Sequence, residues 1–148
     1  KPSEAAENRR QQMEKRMRKT SNLLIEKPVE LDEHHEEADI LFIGFISSKG
    51  AIQEGAERLN AQGIKVNTMQ IRQLHPMPKD VIQAAIDKAS RVIIVEHNYQ
   101  GQLSNILKMN TTIQDKLINQ TKYDGTPFLP HEIESKGQKV VSESKELV

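Results

Sequence analysis

Three clusters of polar and charged residues each follow a predicted strand, and they carry the groups of this sequence that could do chemistry. They supply hydroxyls, cations, imidazoles and a carboxylate, a set that suits binding of an anion or of a partner. The simpler structural explanation is that Ser47 and Asn98 cap helices while the Lys49 and Arg72 side chains are solvated. The clusters are Ser47, Ser48 and Lys49, then Arg72, Gln73 and His75, and then Glu96, His97 and Asn98.

Catalysis and metal binding are two specific functions that the histidines could have. His97 could act as a general base, because imidazole exchanges protons near neutral pH. No paired nucleophile lies near it in sequence, and a hydrogen-bonded turn residue is the commoner role for such a histidine. His34 and His35 could bind a metal weakly, although a solvated linker explains this acidic stretch better. We therefore assign no catalytic residue and no metal site.

The familiar nucleotide and hydrolase motifs are missing from the sequence. Neither G-x-G-x-x-G nor G-x-x-x-x-G-K-[ST] is present, which excludes the two common phosphate-binding loops. G-x-S-x-G is absent as well, which disfavours an α/β-hydrolase. A response-regulator receiver would need acidic residues where Ser47 and Ser48 stand. These absences favour a binding or assembly domain without a complete active site.

The clusters would be positioned by alternating strands and helices. Apolar runs at 40–46 and 91–95 predict strands buried on both faces, and residues 64–71 are predicted to form the second strand between them. Apolar residues at helical spacing predict a helix after each strand, at about 52–59, 81–89 and 103–107. This order favours an α/β domain with a mainly parallel sheet. The carboxyl ends of parallel strands meet at one edge, so the clusters should form a common rim.

The rest of the chain is predicted to be less regular. Residues 116–123 indicate a further strand, and 131–136 a short helix. The expected organisation is a polar N-terminal helix linking to a missing upstream domain, an acidic linker, the α/β domain and a polar tail. Their bounds are 1–27, 28–38, 39–136 and 137–148. The chain begins at Lys1 rather than at methionine, which suggests a piece of a longer protein.

Composition excludes several classes of protein. The 148 residues carry no net charge, with 21 basic and 21 acidic side chains, which argues against nucleic-acid binding through bulk charge. Charge is nevertheless segregated: residues 1–27 have eight basic and four acidic side chains, whereas 30–39 have six acids and no base. With no cysteine, the chain has no disulfide, thiolate zinc site or Fe–S cluster of its own. No apolar run reaches 18 residues, so no membrane span or signal peptide is expected, and a cytoplasmic location is predicted.

Six short motifs, in their order and spacing, give the chain a family likeness. Together they resemble the carboxy-terminal domain of the α subunit of 2-oxoacid:ferredoxin oxidoreductases, the 2-oxoglutarate type most of all, over residues 12–136. The motifs are Lys15-Arg16-Met17-Arg18-Lys19, Lys49-Gly50-Ala51-Ile52, Gly63-Ile64-Lys65-Val66, Arg72-x-Leu74-x-Pro76-x-Pro78, Val95-Glu96-x-Asn98-Tyr99-x-Gly101-Gln102-Leu103 and Lys122-Tyr123-Asp124-Gly125-x-Pro127-Phe128.

The resemblance implies a transketolase C-terminal-like fold, a three-layer α/β/α domain whose five-stranded sheet is parallel except for one strand. It implies an enzyme that decarboxylates a 2-oxoacid with thiamine diphosphate and magnesium, reduces ferredoxin through an Fe–S cluster and forms acyl-coenzyme A. In that family these cofactors lie on other domains and on the β subunit. This chain would then be an inactive, structural part that packs against its neighbours. Lys49 and Arg72 would be the candidates for contact with coenzyme A phosphates.

Two alternatives remain open from the sequence. The chain could be the equivalent domain of a transketolase or of a 2-oxoacid dehydrogenase E1 β chain, which share the fold. It could instead be a non-enzymatic α/β interaction module that grips an acidic partner with its basic N-terminal segment. The identity of the 2-oxoacid is not encoded in these residues.

Overall fold

The described part of the chain forms five strands and four helices in a computed structural model. It comprises Gln11 and residues 27–45, 48–72, 76–97 and 102–146. The strands are β1 (Val29–Asp32), β2 (Ala38–Phe45), β3 (Val66–Ile71), β4 (Ala89–Glu96) and β5 (Leu117–Thr121). The helices are α1 (Lys49–Ala61), α2 (Lys79–Asp87), α3 (Gln102–Asn110) and α4 (Pro130–Glu146).

The strands form one sheet in the order β1-β3-β2-β4-β5. Strands β3, β2, β4 and β5 run parallel, and β1 pairs antiparallel with β3 at one edge. The predicted α/β fold, with a five-stranded sheet that is parallel except for one strand, is confirmed.

Helices cover both faces of this sheet and bury two apolar cores. Leu41 and Ile43 of β2 contribute to the core beneath α2 and α3. Ile40 and Phe42 contribute to the core beneath α1 and α4. Because successive side chains of a strand point to opposite faces, a strand covered on both sides can bury apolar side chains at successive positions. This explains the continuous apolar run of β2 and gives the expected three-layer α/β/α arrangement.

Two sequence-based boundaries differ from the structure. The segment 28–38 was expected to be an exposed linker, but Val29–Asp32 forms β1 at the edge of the sheet. Residues 137–148 were expected to be a polar tail, but α4 continues unbroken from Pro130 to Glu146. In both places a short or sparse apolar pattern forms regular structure because it packs against the main sheet or against α1.

The sequence also predicts an N-terminal helix and no membrane span. The helix expected within residues 1–27 lies outside the described residues, apart from Gln11 and Lys27. Within the described ranges, none of the helices combines the length and apolarity that crossing a membrane requires.

Candidate functional site

The carboxyl ends of the parallel strands form one edge of the sheet, as the sequence predicted. Arg72 and His97 directly follow β3 and β4, and Ser48 and Lys49 come three and four residues after the end of β2. Strand β1 runs the opposite way, so its first residues also lie at this edge, where Val29 is paired with Ile71. The remaining predicted rim residues, Ser47, Gln73, His75 and Asn98, lie outside the described residues.

Lys49 and Arg72 meet on one carboxylate that the sequence analysis did not include in the site. The Lys49 ammonium lies 2.7 Å from Glu30 Oε2, and Arg72 Nη1 donates to Glu30 Oε1 at 3.3 Å. The hydrogen bond from Lys49, with the charges of Lys49, Arg72 and Lys27, lowers the pKa of the Glu30 carboxyl despite partial desolvation. Glu30 therefore joins the start of β1 to the end of β3 and to the first turn of α1.

Replacing Glu30 by glutamine should make the free energy of unfolding less dependent on pH in the acidic range. A carboxyl whose pKa is lower in the folded state stabilises the fold fully above its unfolded pKa. That contribution is lost as the pH falls from the ordinary glutamate value of 4.5 through the lower folded value. Urea unfolding from pH 7 to pH 3 should therefore show a smaller loss of stability for Glu30→Gln than for the wild type.

Glu57→Gln is the matched control for this measurement, because Glu57 is an exposed glutamate of α1 without an ion pair among the described residues. It should leave the pH dependence of the free energy of unfolding unchanged. Equal pH profiles for wild type and Glu30→Gln would show that the two ion pairs add nothing to stability.

Ser48 precedes α1 but does not cap it with its side chain. The buried Ser48 hydroxyl donates instead to the Phe45 carbonyl oxygen at 3.0 Å. The first turn of α1 contains no acidic residue either. The free N–H groups at the start of this 13-residue helix therefore have no side-chain acceptor among the described residues.

A buried amide lies beside this uncapped turn. Gln70 is 3% exposed, and neither its amide nitrogen nor its amide oxygen has a hydrogen-bond partner among the described residues. Its register partners are Glu30 on β1 and Gly44 on β2. A Cβ added at Gly44 would lie 2.5 Å from Ser48 Oγ and 3.1 Å from Gln70 Oε1, so both polar groups border Gly44.

His97 packs on an aromatic side chain at this edge. Its ring is exposed at the end of β4 and lies 4.6 Å, centroid to centroid, from the ring of Phe128. The Lys122 ammonium lies 5.7 Å from the same aromatic ring and donates to Glu132 Oε1 at 2.8 Å and to the Pro127 carbonyl at 2.9 Å. These contacts fix the loop between β5 and α4.

Glu96 holds the start of α3. Its carboxylate is 7% exposed and accepts the N–H groups of Leu103 and Ser104, at 3.2 and 3.1 Å, and the Ser104 hydroxyl at 3.3 Å. The Ser104 hydroxyl also contacts the Asn119 amide on β5. A carboxylate satisfied in this way at a helix N-terminus is a structural anchor, since its acceptor positions are occupied.

The two adjacent histidines take part in polar contacts at the other end of the strands, away from the carboxyl ends of the parallel strands. His34 Nε2 pairs with Asp32 at 2.8 Å, and His35 Nε2 is hydrogen-bonded to Asn60 Oδ1 at 2.9 Å. Across the ranges that the structure describes, no three His, Cys, Asp or Glu side chains are grouped so that they could hold a metal ion.

The chain matches known protein families over most of its length. Residues 38–133 match the family model for pyruvate:ferredoxin oxidoreductase core domain II. The 2-oxoacid:ferredoxin oxidoreductase subunit alpha of Saccharolobus solfataricus is 32% identical over 149 residues, which cover 99% of this chain and 23% of that protein. The chain thus spans about a quarter of this relative.

Solved structures that are similar to this chain include an enzyme named as a 2-oxoacid:ferredoxin oxidoreductase of the 2-oxoglutarate type. A 2-oxoglutarate:ferredoxin oxidoreductase from Magnetococcus marinus, solved with 2-oxoglutarate, coenzyme A and succinyl-CoA bound, is similar with a TM-score of 0.78 and 33% identity. The match covers 95% of this chain and 24% of that one. A transketolase from Pichia stipitis is similar with a TM-score of 0.59 and 16% identity, over 81% of this chain and 19% of its own, and shows the fold alone.

Proposed function

The chain belongs to the pyruvate:ferredoxin oxidoreductase core domain II family, and we propose that it is a structural and assembly domain of a larger thiamine-diphosphate-dependent enzyme. That enzyme is a 2-oxoacid:ferredoxin oxidoreductase, which converts a 2-oxoacid to acyl-coenzyme A and passes the electrons to ferredoxin. In this proposal, the domain itself carries out no chemical step.

The observation that carries the proposal is that the rim side chains which the structure describes contact other groups of the same domain. Glu96 anchors α3, and Glu30 binds both Lys49 and Arg72. The His97 ring packs on an aromatic side chain. None of these contacts pairs a nucleophile with a base, which a catalytic rim would need.

Thiamine diphosphate, magnesium and an Fe–S cluster are assigned to other parts of the enzyme. The chain has no cysteine, and thiolates are the usual cluster ligands. The described residues also lack a three-ligand group for a metal ion. Because the sequence offers no thiolate for a cluster and the described residues offer no group of three ligands for a metal ion, we derive no step through these cofactors.

The proposed partners are the upstream domains of the same subunit and the β subunit, with ferredoxin and coenzyme A acting on the assembled enzyme. The six rim residues, Ser47, Ser48, Lys49, Arg72, His97 and Asn98, remain candidates for a ligand or interface rim. A 2-oxoglutarate preference is favoured by the 33% identity to an enzyme of that name. The cytoplasmic location stays a prediction.

The transketolase and E1 β alternative is less favoured, because its supporting structural likeness is at 16% identity and concerns the fold alone. The non-enzymatic module is less favoured because the family model covers residues 38–133. Binding of an acidic partner by the basic N-terminal segment would be needed to support this alternative.

Activity measurements on the chain alone and on the assembled enzyme test the proposal. The chain should reduce no viologen dye when given thiamine diphosphate, magnesium, coenzyme A and either 2-oxoglutarate or pyruvate. The complete α subunit with its β subunit should reduce the dye with one of the two acids. Deletion of residues 38–133 should prevent the two subunits from assembling, so that they no longer co-purify.

Three results would contradict it. Dye reduction by the isolated chain would make the domain catalytic. An assembled, fully active enzyme that lacks residues 38–133 would remove the assembly role. Failure of the complete enzyme to use any 2-oxoacid would favour the interaction module.

A further inference from the structure

The two edges of the sheet differ in how they are protected against further pairing. Strand β1 forms one edge and β5 the other. Strand β1 is four residues long, and two of them, Glu30 and Asp32, are acidic. Short length and charged side chains are usual means by which an edge strand avoids pairing with another chain. Strand β5 has the sequence Leu-Ile-Asn-Gln-Thr, with neither a charge nor a proline, so its edge lacks this protection.

Three residues of β5 present their backbone groups to the outside of the sheet. The Lys116 carbonyl accepts from β4 at 2.9 Å, and the Lys122 N–H donates to β4 at 3.4 Å. Because alternate residues of a strand bond to the same neighbour, the groups of Leu117, Asn119 and Thr121 point outward. Within the described ranges, neither the N–H nor the carbonyl group of these three residues has a hydrogen-bond partner. Another strand laid along this edge would supply partners for all of them.

The described part of the chain leaves this edge accessible while holding the strand in place. Every residue of β5 is at least partly exposed, whereas every residue of the inner strand β3 is buried. Ser104 of α3 contacts the Asn119 amide on one face, and Gln120 Nε2 donates to the Glu132 carbonyl of α4 at 3.0 Å. The two helices therefore fix the faces of β5 without covering its outer edge.

A second copy of the chain provides a strand that fits this edge. An antiparallel pairing centred on Asn119 sets Leu117 opposite Thr121 of the second copy and Asn119 opposite its own counterpart. Each opposing pair of outward residues exchanges two hydrogen bonds, so every outward N–H and carbonyl of both strands is satisfied. Opposing residues also lie on the same face, since Leu117 packs in the core beneath α2 and α3 and Asn119 meets Ser104 of α3. The helical layers of the two copies would then continue side by side.

The lysines on either side of β5 do not oppose this pairing. In the same register, Lys116 lies opposite Lys122 of the second copy, and two free ammonium groups there would repel each other. Lys116 Nζ instead donates to the Ile86 carbonyl at 3.1 Å. Lys122 Nζ lies 2.8 Å from Glu132 Oε1, and its side chain is 17% exposed. Both charges are thus held on their own domain, and a chain with no net charge adds no long-range repulsion.

We propose that two copies of this chain associate through antiparallel pairing of β5, which joins their two sheets into one. Each chain offers one such edge, because β1 is protected by its acids, so association stops at the dimer. This property goes beyond the proposed function and is measured on the chain without turnover, so the two stand or fall separately.

Molecular mass and amide hydrogen exchange, followed together against protein concentration, test the pairing. The mass should rise from that of one chain to that of two and no further. The N–H groups of Leu117, Asn119 and Thr121 should then exchange at least about tenfold more slowly, because they become hydrogen-bonded. The N–H groups of Ile118 and Gln120 should change less, since they already donate to β4 in the single chain.

Three results of this measurement would overturn the proposal. A mass that stays at one chain up to about 1 mM would exclude the dimer. A dimer that leaves exchange at the three outward N–H groups unchanged would be formed by another surface. Growth beyond two chains, or equal slowing at all five N–H groups of β5, would indicate unspecific association.

Substitutions at Thr121 separate backbone pairing from side-chain contacts. Thr121→Pro removes an outward N–H and places a ring at the edge, while the hydrogen bonds to β4 do not use this N–H. The variant should keep the circular dichroism spectrum of the wild type and stay a single chain at every concentration. Thr121→Val is the matched control, because it keeps the N–H and removes only the hydroxyl that contacts Tyr123, and it should form the dimer. Normal dimer formation by Thr121→Pro would contradict pairing through β5.

Asn119→Lys is a second variant that does not depend on the strand accepting a proline. The register sets the two new lysines opposite each other, so association should weaken about fivefold at low ionic strength. Part of this loss should return at high salt, where the repulsion is screened. Gln53→Lys adds the same charge at an exposed position of α1 and should associate as the wild type does. Equal association of all three proteins at low salt would overturn the proposal.

Discussion

Replacing Gly55 by alanine is expected to destabilise the fold by about 1–2 kcal/mol, although alanine is the better helix former. A Cβ at this position of α1 would lie 2.6 Å from both Cβ and Cγ2 of Ile133 on α4 and 3.1 Å from the Pro130 carbonyl oxygen. Cβ and backbone atoms cannot move aside without shifting α4. Overpacking costs about 1–3 kcal/mol, and a clash with Cβ and backbone atoms belongs to the upper part of that range, about 2–3 kcal/mol, from which the gain of about 1 kcal/mol in helix propensity is subtracted.

Gly50→Ala is the matched control, because it makes the same change in the first turn of the same helix. A Cβ at Gly50 would meet nothing within 4 Å, so this variant should be as stable as the wild type or more stable by about 0.5–1 kcal/mol. Urea unfolding of both variants checks the pair. If Gly55→Ala proves as stable as Gly50→Ala, then α1 and α4 are not held at the close distance seen here.

The elements with the strongest apolar patterns could be predicted from the sequence. In β2, the residues from Ile40 to Ile43 are apolar on both sides of the sheet, and only a strand covered on both faces gives such a run. In α1, the buried positions Ile52, Gly55, Ala56 and Leu59 follow helical spacing. Pattern and burial therefore agree in these elements.

The two missed elements have weak patterns for a physical reason. Val29 and Leu31 alternate with Glu30 and Asp32, but the strand has only four residues and its acids dominate the composition. In α4, one contact to the core is made through buried Gly137 against Leu59, and a buried glycine adds nothing to an apolar pattern. Such contacts are visible only once the partner element is in place.

The site could be predicted only in part, for a similar reason. The parallel order of the strands brings Lys49 and Arg72 to one edge, which follows from topology. Their shared partner Glu30 lies 42 residues before Arg72 and arrives by an antiparallel pairing that no local spacing signals. The Gln70 amide is equally hidden, since a glutamine within a strand usually indicates an exposed position.

Removing the carboxylate of Glu96 should cost about 3 kcal/mol or more, the largest effect that we expect of a polar substitution among the described residues. Glu96→Ala leaves the N–H groups of Leu103 and Ser104 buried without the acceptor that they have in the wild type. Hydrogen bonds to a charged group contribute about 1.5–3 kcal/mol each, and their loss exposes the full desolvation penalty of the donors. The positive end of the α3 dipole also loses its counter-charge.

Two readouts distinguish a local anchor from a general loss of stability. Urea unfolding gives the total effect, and hydrogen exchange of the Leu103 and Ser104 amides reports the first turn of α3.

Glu96→Gln should fall between wild type and Glu96→Ala, because one amide oxygen replaces two charged acceptors. Glu57→Ala, an exposed glutamate of α1, should change neither readout. If Glu96→Ala were as mild as Glu57→Ala, or if exchange at α3 stayed unchanged, the start of this helix would be held by its apolar contacts, chiefly the buried Leu103 and Leu107, and not by the carboxylate.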